Sequence, residues 1–402
     1  MGSASRRGGD GHLPRLIALL PFFVRLPLAG PWSYVSTMNR RDFLQRAGAA
    51  SASLMFAPRV ALPDDWRQFE VMTRVEVVKP VGATRVWVPA ALVQRTPYQQ
   101  TLANTFNAPG GQARFVERTD DALGLVVAEF PAGVPPVVTV TSRVATRNVA
   151  VDVGMQRGGM DVRAQHAAPL HPNLKHFLRP TRLLPTTGIV KQKADDITRG
   201  ATSDVDKARA IYDWIVDHTF RKPTTRGCGL GDIRYMLETG DLGGKCADLN
   251  ALFVGLARAS GLPARDVYGI RVAPSALGYR SLGASSDHVT KSQHCRAEVY
   301  LQDDGWVPVD PADVRKVVLE EPPGNRPLDD AMVTATRARL FGSWEMNWMA
   351  YNFAHDVALP GSRGEPLPFL MYPQAETAEG RIDSLDPDAF KYEIIAREME
   401  PR

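Results

Sequence analysis

The spacing of the apolar residues changes near residue 170, and this change constrains the fold more than any other feature of the sequence. Across residues 66–153 apolar and polar residues alternate, as they do from 69 to 77, which is the period of a strand with one buried face. Beyond a proline-rich stretch the spacing becomes helical, with an apolar stripe across residues 205–215. The sequence therefore predicts the α+β class, with a small antiparallel β-sandwich at 66–153 and a second domain at 170–400.

The second domain is predicted to contain two helices followed by strands. Ser203 or Asp204 can cap the first helix, and the second begins at Cys246 and ends near Gly261. Strand patterns follow at residues 265–272, 294–301 and 306–310. A Gln-Asp-Asp-Gly segment joins the last two and is a hairpin signal, so residues on those strands are expected to be neighbours.

The N-terminal region is predicted to be a targeting signal and not part of the folded domains. Arg40 and Arg41 precede Phe-Leu and a run of small apolar residues, a pattern that resembles a twin-arginine (Tat) export signal at residues 38–62. The alternative is a basic amphipathic helix of the fold. Because Met38 stands directly before the signal, residues 1–37 are interpreted as an over-extension of the reading frame. The mature protein is expected in the periplasm or otherwise exported, without a stable membrane span.

Composition excludes several other classes. The net charge is +4 over 402 residues, and Lys and Arg form no block interleaved with aromatic residues, so no nucleic-acid partner is predicted. The three cysteines cannot form a disulfide framework and lack the paired spacing of a zinc site. We therefore predict neither a metal nor another cofactor. At least one cysteine is therefore left unpaired, and its presence needs a reason other than a disulfide or a metal site.

Cys246 has the surroundings of a nucleophile. It follows Gly-Gly-Lys at the start of a predicted helix, where the helix dipole favours a thiolate over the ordinary thiol with its pKa of about 8.5. An imidazole such as His294 can take the proton and hold the product as an ion pair. Asp310, on the next predicted strand, can orient that ring and stabilise the imidazolium. The sequence thus predicts a Cys246–His294–Asp310 catalytic triad.

Three blocks around these residues resemble the transglutaminase-like superfamily of thiol enzymes. They read GGKCADLNALFVGLARASGLPAR at 243–265, HCRAEVYL at 294–301 and GWVPVDP at 305–311. The pattern is most similar to bacterial exported members with a β-rich N-terminal domain. The resemblance implies a papain-like core, with Cys246 as nucleophile, His294 as base and Asp310 as third member. It implies acyl transfer at amides, ending on water or on an amine. Relatives often carry Trp or Gln before the nucleophile, and this sequence has neither.

Other residues near the triad are open to more than one interpretation. Cys228, in a glycine-rich turn, and Lys245 are expected to line the cleft, and Cys228 is a candidate to form a disulfide with Cys246; a turn cysteine without a role is the alternative. Cys295 is expected to face the core and point away from the nucleophile. The backbone N–H of Cys246 is a sensible oxyanion donor, with the second donor unassigned.

Further polar and aromatic residues are given structural interpretations. Asp248 is expected to stabilise the helix start rather than act chemically. His355 has no partner set of a catalytic kind and is expected to be a surface or hydrogen-bonded residue. The aromatic residues of the tail are expected to pack in the core rather than line a groove: Trp344, Trp348, Tyr351 and Phe353.

The function predicted from these features is thiol-dependent acyl transfer at a peptide or isopeptide amide outside the cytoplasm. Hydrolysis is favoured over transamidation because water needs no second binding site. The partner is then a peptide or protein amide substrate. The alternative is a non-catalytic binding module that keeps the fold as a scaffold, although a scaffold needs no ionised thiol.

Overall fold

A sandwich of two antiparallel sheets forms one part of the chain, and a helix-covered sheet forms the other. The computed structural model describes residues 65–154 and 172–400. The predicted extension at 1–37 and the predicted export signal at 38–62 lie outside these residues. No helix among the described residues has the length and apolar character needed to cross a membrane.

The described strands are β1 (Arg67–Val77), β2 (Thr84–Pro89), β3 (Gln99–Asn107), β4 (Gln112–Arg118), β5 (Leu123–Phe130), β6 (Val137–Thr146), β7 (Val149–Ala150), β8 (Phe220–Arg221), β9 (Gly243–Gly244), β10 (Ala264–Arg271), β11 (Gln293–Leu301), β12 (Gly305–Val309), β13 (Ser343–Trp344), β14 (Trp348–Asn352), β15 (His355–Val357), β16 (Leu367–Phe369), β17 (Gln374–Thr377), β18 (Gly380–Ile382) and β19 (Phe390–Met399). The described α-helices are α1 (Pro172–His176), α2 (Ile189–Ile197), α3 (Asp204–His218), α4 (Ile233–Thr239), α5 (Cys246–Ala259), α6 (Pro311–Glu320) and α7 (Ala331–Arg339). The mixture of helix and sheet confirms the predicted α+β class.

The sandwich is completed by strands from the far end of the chain. One sheet has the order β19-β1-β6-β3 and the other β18-β17-β2-β5-β4. Val75 and Val138 of the first sheet share a buried cluster with Val86 and Val126 of the second, which is the core between the two layers. Alternation of buried and half-buried residues along β1 matches the predicted period of two.

The predicted domain boundaries are not compatible with the strand pairing in these two sheets. Residues 66–153 were expected to form the sandwich alone and 170–400 a separate domain, yet β17, β18 and β19 pair inside the sandwich sheets. Gln68 at the start of β1 lies opposite Met399 at the end of β19. An apolar strand pattern at 390–399 shows that a strand forms but carries no signal for a partner more than 300 residues away. Phe69 and Ile394 also belong to the same buried cluster as α5, so the two parts share a core.

The second part is built around helix α5 and the antiparallel sheet β12-β11-β10-β14. Every residue of α5 is buried, because α2, α3, α4 and α6 surround it and β10 and β11 cover its remaining face. The predicted hairpin is present, with Ala297 of β11 opposite Val309 of β12. The predicted first helix begins as expected: Ser203 caps α3 and forms a capping box with Asp206.

Charged residues on the buried strand β10 are compensated rather than exposed. Arg265 is 5% exposed and bonds Glu298 at 2.7 Å, while its guanidinium lies over the rings of Trp306 and Phe353. The tail aromatics are buried too, since Trp344, Trp348, Tyr351 and Phe353 are each at most 2% exposed. This agrees with the expectation that they pack in the core.

Candidate active site

Helix α5 begins at Cys246, and the turn before it is shaped by one carboxylate. Asp248 accepts the backbone N–H groups of Lys245 at 3.0 Å, Leu230 at 2.9 Å and Gly231 at 3.0 Å. These bonds tie the helix start to the 228–231 turn. A Cβ on Gly229 or Gly244 would fall within 3 Å of the Asp248 side chain, so both positions require glycine. Asp248 therefore has the structural role expected for it.

This arrangement places Cys228 beside Cys246, the predicted nucleophile. The carbonyl oxygen of Cys228 accepts the N–H of Ala247, in the first turn of α5, at 2.9 Å. Cys246 and Tyr372 are neighbours of the Cys228 thiol that shift its pKa, Cys246 upward and Tyr372 downward. Cys228 has a single S–H, and the carbonyl oxygen of Gln293 lies within its reach at 3.5 Å. The Cys228 S–H can therefore point either to the Cys246 sulfur or to the Gln293 carbonyl oxygen.

Cys295 also contacts the nucleophile, which corrects one expectation. It is fully buried, as expected of a core residue, but it lies near enough to Cys246 for the two thiols to shift each other's pKa, instead of pointing away. Alternation along β11 predicts which face Cys295 occupies; it does not predict that the start of α5 packs on that same face. All three cysteines are free. A Cys228–Cys246 disulfide accordingly stays a prediction, with Cys295 as a second sulfur in contact.

These contacts favour an ionised Cys246. Hydrogen bonds from the Cys228 and Cys295 thiols, followed by the neighbouring His294, hold the pKa of Cys246 well below its usual value, although burial opposes them. Donation to Cys246 and burial raise the pKa of Cys228, and burial followed by the same kind of bond raises that of Cys295. These shifts favour a state in which Cys246 is a thiolate while Cys228 and Cys295 remain neutral thiols.

His294 is the partner of that thiolate. Its side chain is one of the groups that lower the pKa of Cys246, and its Nε2 lies 2.8 Å from Asp310 Oδ2, which leaves Nδ1 for the sulfur. Trp348 Nε1 donates to the carbonyl oxygen of His294 at 2.9 Å and fixes the strand there. Burial by itself lowers the pKa of His294, but the carboxylates of Asp313 and Asp310 raise it to about 10. The imidazolium form is therefore stabilised.

Asp310 is held from two sides. It is the N-cap of α6, where Oδ1 accepts the N–H of Asp313 at 3.0 Å and Pro311 occupies the first helical position. Asn250, one turn along α5 from Cys246, donates to Asp310 Oδ1 at 3.2 Å and to the carbonyl oxygen of Cys295 at 2.8 Å. Burial and the nearby Asp313 raise the pKa of Asp310, while His294 opposes them.

Asp313 is a second carboxylate that sequence reasoning missed. Its Oδ1 lies 3.4 Å from His294 Nε2, and both of its oxygens bond Arg271 at 2.6 and 2.8 Å. Burial raises the pKa of Asp313, but Arg271 and His294 hold it well below the usual range. The signal was available in the Asp-Pro-Ala-Asp run, because residues three apart share a helix face.

The same residues have the spacing of metal ligands but the wrong charge environment. Among the described residues, donor atoms of His294, Asp310 and Asp313 lie within 4.8 Å of one another. Arg271 already bonds Asp313, and Arg296 lies 3.7 Å from Asp310. A divalent cation would therefore enter a region where three cationic groups already balance the carboxylates and the thiolate. The set fits a charge-compensated triad better than a cation site.

A cleft of about 640 Å³ opens onto Cys246 and His294. Cys228 and Lys245, both predicted to line it, do so, and Tyr372 joins them from the segment before β17. Gln293 also lines the cleft, and its Nε2 is buried without a hydrogen-bond partner among the described residues. Tyr372 and Gln293 were missed because nothing local links either residue to a thiol.

Comparison with known proteins agrees with the three motifs. Residues 191–311, which contain all three triad positions, match the Transglutaminase-like superfamily. An uncharacterized protein from Haemophilus influenzae is 40% identical over 236 residues, which are 56% of this chain and 63% of that relative. This chain thus spans less than two thirds of that relative's length.

Solved structures show weaker likeness. A protein described as a candidate cysteine protease from Cytophaga hutchinsonii matches over 83% of this chain and 99% of its own, with 17% identity and a TM-score of 0.46. The periplasmic domain of TgpA from Pseudomonas aeruginosa matches over 64% and 96%, with 16% identity and a TM-score of 0.30. The family match and the motifs lead to one conclusion: residues 191–311 of this chain form a transglutaminase-like domain.

Proposed function

We propose that this chain is an exported cysteine-dependent enzyme that cleaves a peptide or isopeptide amide. The observation that carries the proposal is one continuous set of contacts at the head of a cleft. Cys246 and His294 both line the cleft, His294 helps to lower the pKa of Cys246, and His294 bonds Asp310 at 2.8 Å. Such an arrangement keeps a thiolate and a proton donor side by side, which a non-catalytic binding module does not need. Export rests on the twin-arginine pattern at residues 38–62.

The chemistry follows from the charge states. The Cys246 thiolate attacks the amide carbonyl carbon and forms a C–S bond, and the carbonyl oxygen takes the negative charge. The N–H of Cys246, at the start of α5, faces that oxygen as one donor. His294 then gives its proton to the leaving nitrogen as the C–N bond breaks, so an amine departs and a thioester remains.

Hydrolysis completes the cycle. Neutral His294 takes a proton from water as the water oxygen attacks the thioester carbon, and the C–S bond breaks to release a carboxylic acid. The thiolate and the imidazolium are then restored. Asp310 keeps the ring in the tautomer that serves both half-reactions. Water is favoured over an amine because the cleft at the sulfur needs no second specific subsite for it.

Thiol reactivity tests the proposal without a known substrate. Wild-type protein and the Cys246→Ala variant are treated with iodoacetamide at pH 6, and the modified sites are mapped by mass spectrometry. Selective modification of Cys246 is expected, since an ordinary thiol is about 99% protonated at that pH. A silent Cys246 in folded protein would contradict the proposal and favour the binding module.

A substrate screen then separates the two acyl acceptors. Peptides cleaved by wild-type protein and not by Cys246→Ala are digested in ¹⁸O-labelled water, in the presence of a primary amine. Incorporation of ¹⁸O into the new carboxylate supports hydrolysis, and amine incorporation contradicts it. Asp310→Asn is expected to keep weak activity, because the histidine ring loses its preferred tautomer while the sulfur stays in place.

A further inference from the structure

The walls of the active-site cleft carry charge of one sign. The chain as a whole has 48 basic and 44 acidic residues, a nearly even balance. The side chains that line the cleft include no Asp or Glu, whereas six are basic: Arg221, Lys245, Arg271, Lys291, Lys316 and Lys391. This bias is a property of the site and not of the overall composition.

The surrounding carboxylates compensate only part of this charge. Arg271 is paired with Asp313 inside the triad cluster. Arg221 and Lys316 share a single carboxylate, Glu320. Burial together with the nearby Arg221 lowers the pKa of Lys316 even though Glu320 bonds it. Among the described residues, the salt bridges include none for the other three lysines: Lys245, Lys291 and Lys391.

The basic residues sit on different elements around the nucleophile. Arg221 on β8 pairs with Gly244, so it lies beside the segment that leads to Lys245 and Cys246. A second group is carried by the 289–292 segment and by β19. Val289 N–H donates to the carbonyl oxygen of Ile394 at 2.8 Å, and this bond holds the segment that carries Lys291 against the strand that carries Lys391. Both of these lysines are exposed.

We propose that the cleft selects an acidic peptide, whose carboxylate side chains near the scissile amide are bound by these lysines and arginines. The inference rests on the proposed function and specifies its substrate class. Uncompensated charge of one sign in a cleft concentrates ligands of the opposite sign and speeds their approach. Cys246 attacks an acyl carbon, which a peptide supplies and a nucleic acid lacks, so a peptide is the polyanion that fits.

The first experiment measures the electrostatic potential at the Cys246 sulfur. Cys246 is alkylated with anionic iodoacetate and with neutral iodoacetamide, and the ratio of the two rates is compared with that of glutathione under the same conditions. A ratio higher than that of glutathione is expected, and it should fall in the Lys291→Gln/Lys391→Gln variant and in high salt. The Lys79→Gln/Lys175→Gln variant removes the same charge from exposed sites outside the cleft and should behave as wild type.

The second experiment uses peptides as affinity labels. Bromoacetyl-triglutamate amide, its triglutamine analogue and its trilysine analogue are compared for the rate at which they modify Cys246. The glutamate peptide is expected to react about tenfold faster than the lysine peptide at low salt. Equal rates for the three peptides, with Cys246 still alkylated by iodoacetamide, would overturn the substrate class and leave the proposed function intact.

Two further outcomes also decide the question. If iodoacetamide fails to modify Cys246 at all, the proposed function fails and the substrate class fails with it. If oligothymidylate protects Cys246 from iodoacetamide better than oligoglutamate of equal charge, the cleft selects nucleic acid and the acidic-peptide proposal is wrong. Protection by oligoglutamate that is lost in Lys291→Gln/Lys391→Gln, and retained in Lys79→Gln/Lys175→Gln, would support it.

Discussion

Two buried histidine–aspartate pairs lie in the same part of the chain, and only one of them has a sulfur beside it. His294 lies 2.8 Å from Asp310, with side chains 5% and 0% exposed. His355 lies 3.0 Å from Asp266, with side chains 6% and 0% exposed. By distance and burial the pairs are nearly the same. A buried histidine–carboxylate pair is therefore no sign of catalysis by itself.

The difference lies in what surrounds each ring. His294 contacts the Cys246 sulfur and faces the cleft, and a second carboxylate, Asp313, lies 3.4 Å away. His355 packs edge-on against Tyr268, whose ring stacks on Phe369. One ring is placed to exchange a proton with a nucleophile, whereas the other joins β15 to β10. We infer that the first pair serves reactivity and the second serves stability.

The largest expected effect is on His294→Ala. Without the imidazolium the Cys246 thiolate loses its counter-charge while the Cys228 and Cys295 thiols still lower its pKa, so alkylation by iodoacetamide at pH 6 should slow by about tenfold. Turnover of any cleaved peptide should fall by about 10²–10⁴. His355→Ala is the matched control, and its alkylation rate per folded molecule should equal that of wild type. If the two variants lost equal alkylation rate, the distinction between a reactive and a structural histidine pair would be wrong.

His355→Ala is expected to lower stability instead. The change removes the ring that lies 3.0 Å from the fully buried Asp266 and leaves this polar group without that neighbour, which should cost about 1–3 kcal/mol in the free energy of unfolding. Urea unfolding followed by tryptophan fluorescence measures the loss. Asp266→Asn, which removes the charge along with the pair, should cost less. A His355→Ala variant as stable as wild type would show that the second pair is not a stabilising one.

Asp313→Asn should shift the titration of His294. The pKa of His294 is raised from 6.5 to about 10, so the stability it contributes is fully present below pH 6.5 and is lost as the pH rises through about 10. Removing the Asp313 charge should lower the pKa of His294 by about 1–3 units. Ring ¹⁵N chemical shifts of His294 against pH report the change directly. An unchanged titration would mean that Asp310 alone holds the proton.

The smallest expected effect is on Cys228→Ala. Loss of the Cys228 thiol beside the thiolate should raise the pKa of Cys246 by about 1–2 units, since bonds to charged groups contribute about 1.5–3 kcal/mol. The stability that a lowered thiol pKa contributes is lost as the pH falls through the folded value, so the low-pH limit of thiolate absorbance should move up. Cys228→Ser keeps a donor and should move it less.

Sequence reasoning could propose Cys246, His294 and Asp310 as a triad because each of them carries a local signal. The glycines before Cys246 and the apolar stripe after it locate a helix start, and the hairpin residues at 302–305 locate two neighbouring strands. It did not reach Arg271 or Arg296, because a charged residue inside an apolar strand gives no local sign of its partner. The contact between Cys295 and Cys246 likewise depends on how α5 packs against β11, which is a tertiary fact.

The pairing of β1 with β19 has a consequence for how the protein is made. Both sandwich sheets, and the Tyr372 and Tyr392 wall of the cleft, need residues beyond 370. A ribosome-bound chain that has emerged only as far as Asp310 holds all three proposed triad residues but lacks β17, β18 and β19, the strands that complete one edge of each sheet. Long-range pairings of this kind form late and slowly. Cys246 is thus synthesised well before the segment that carries Tyr372 and Tyr392, so the cleft is complete only when the end of the chain has folded.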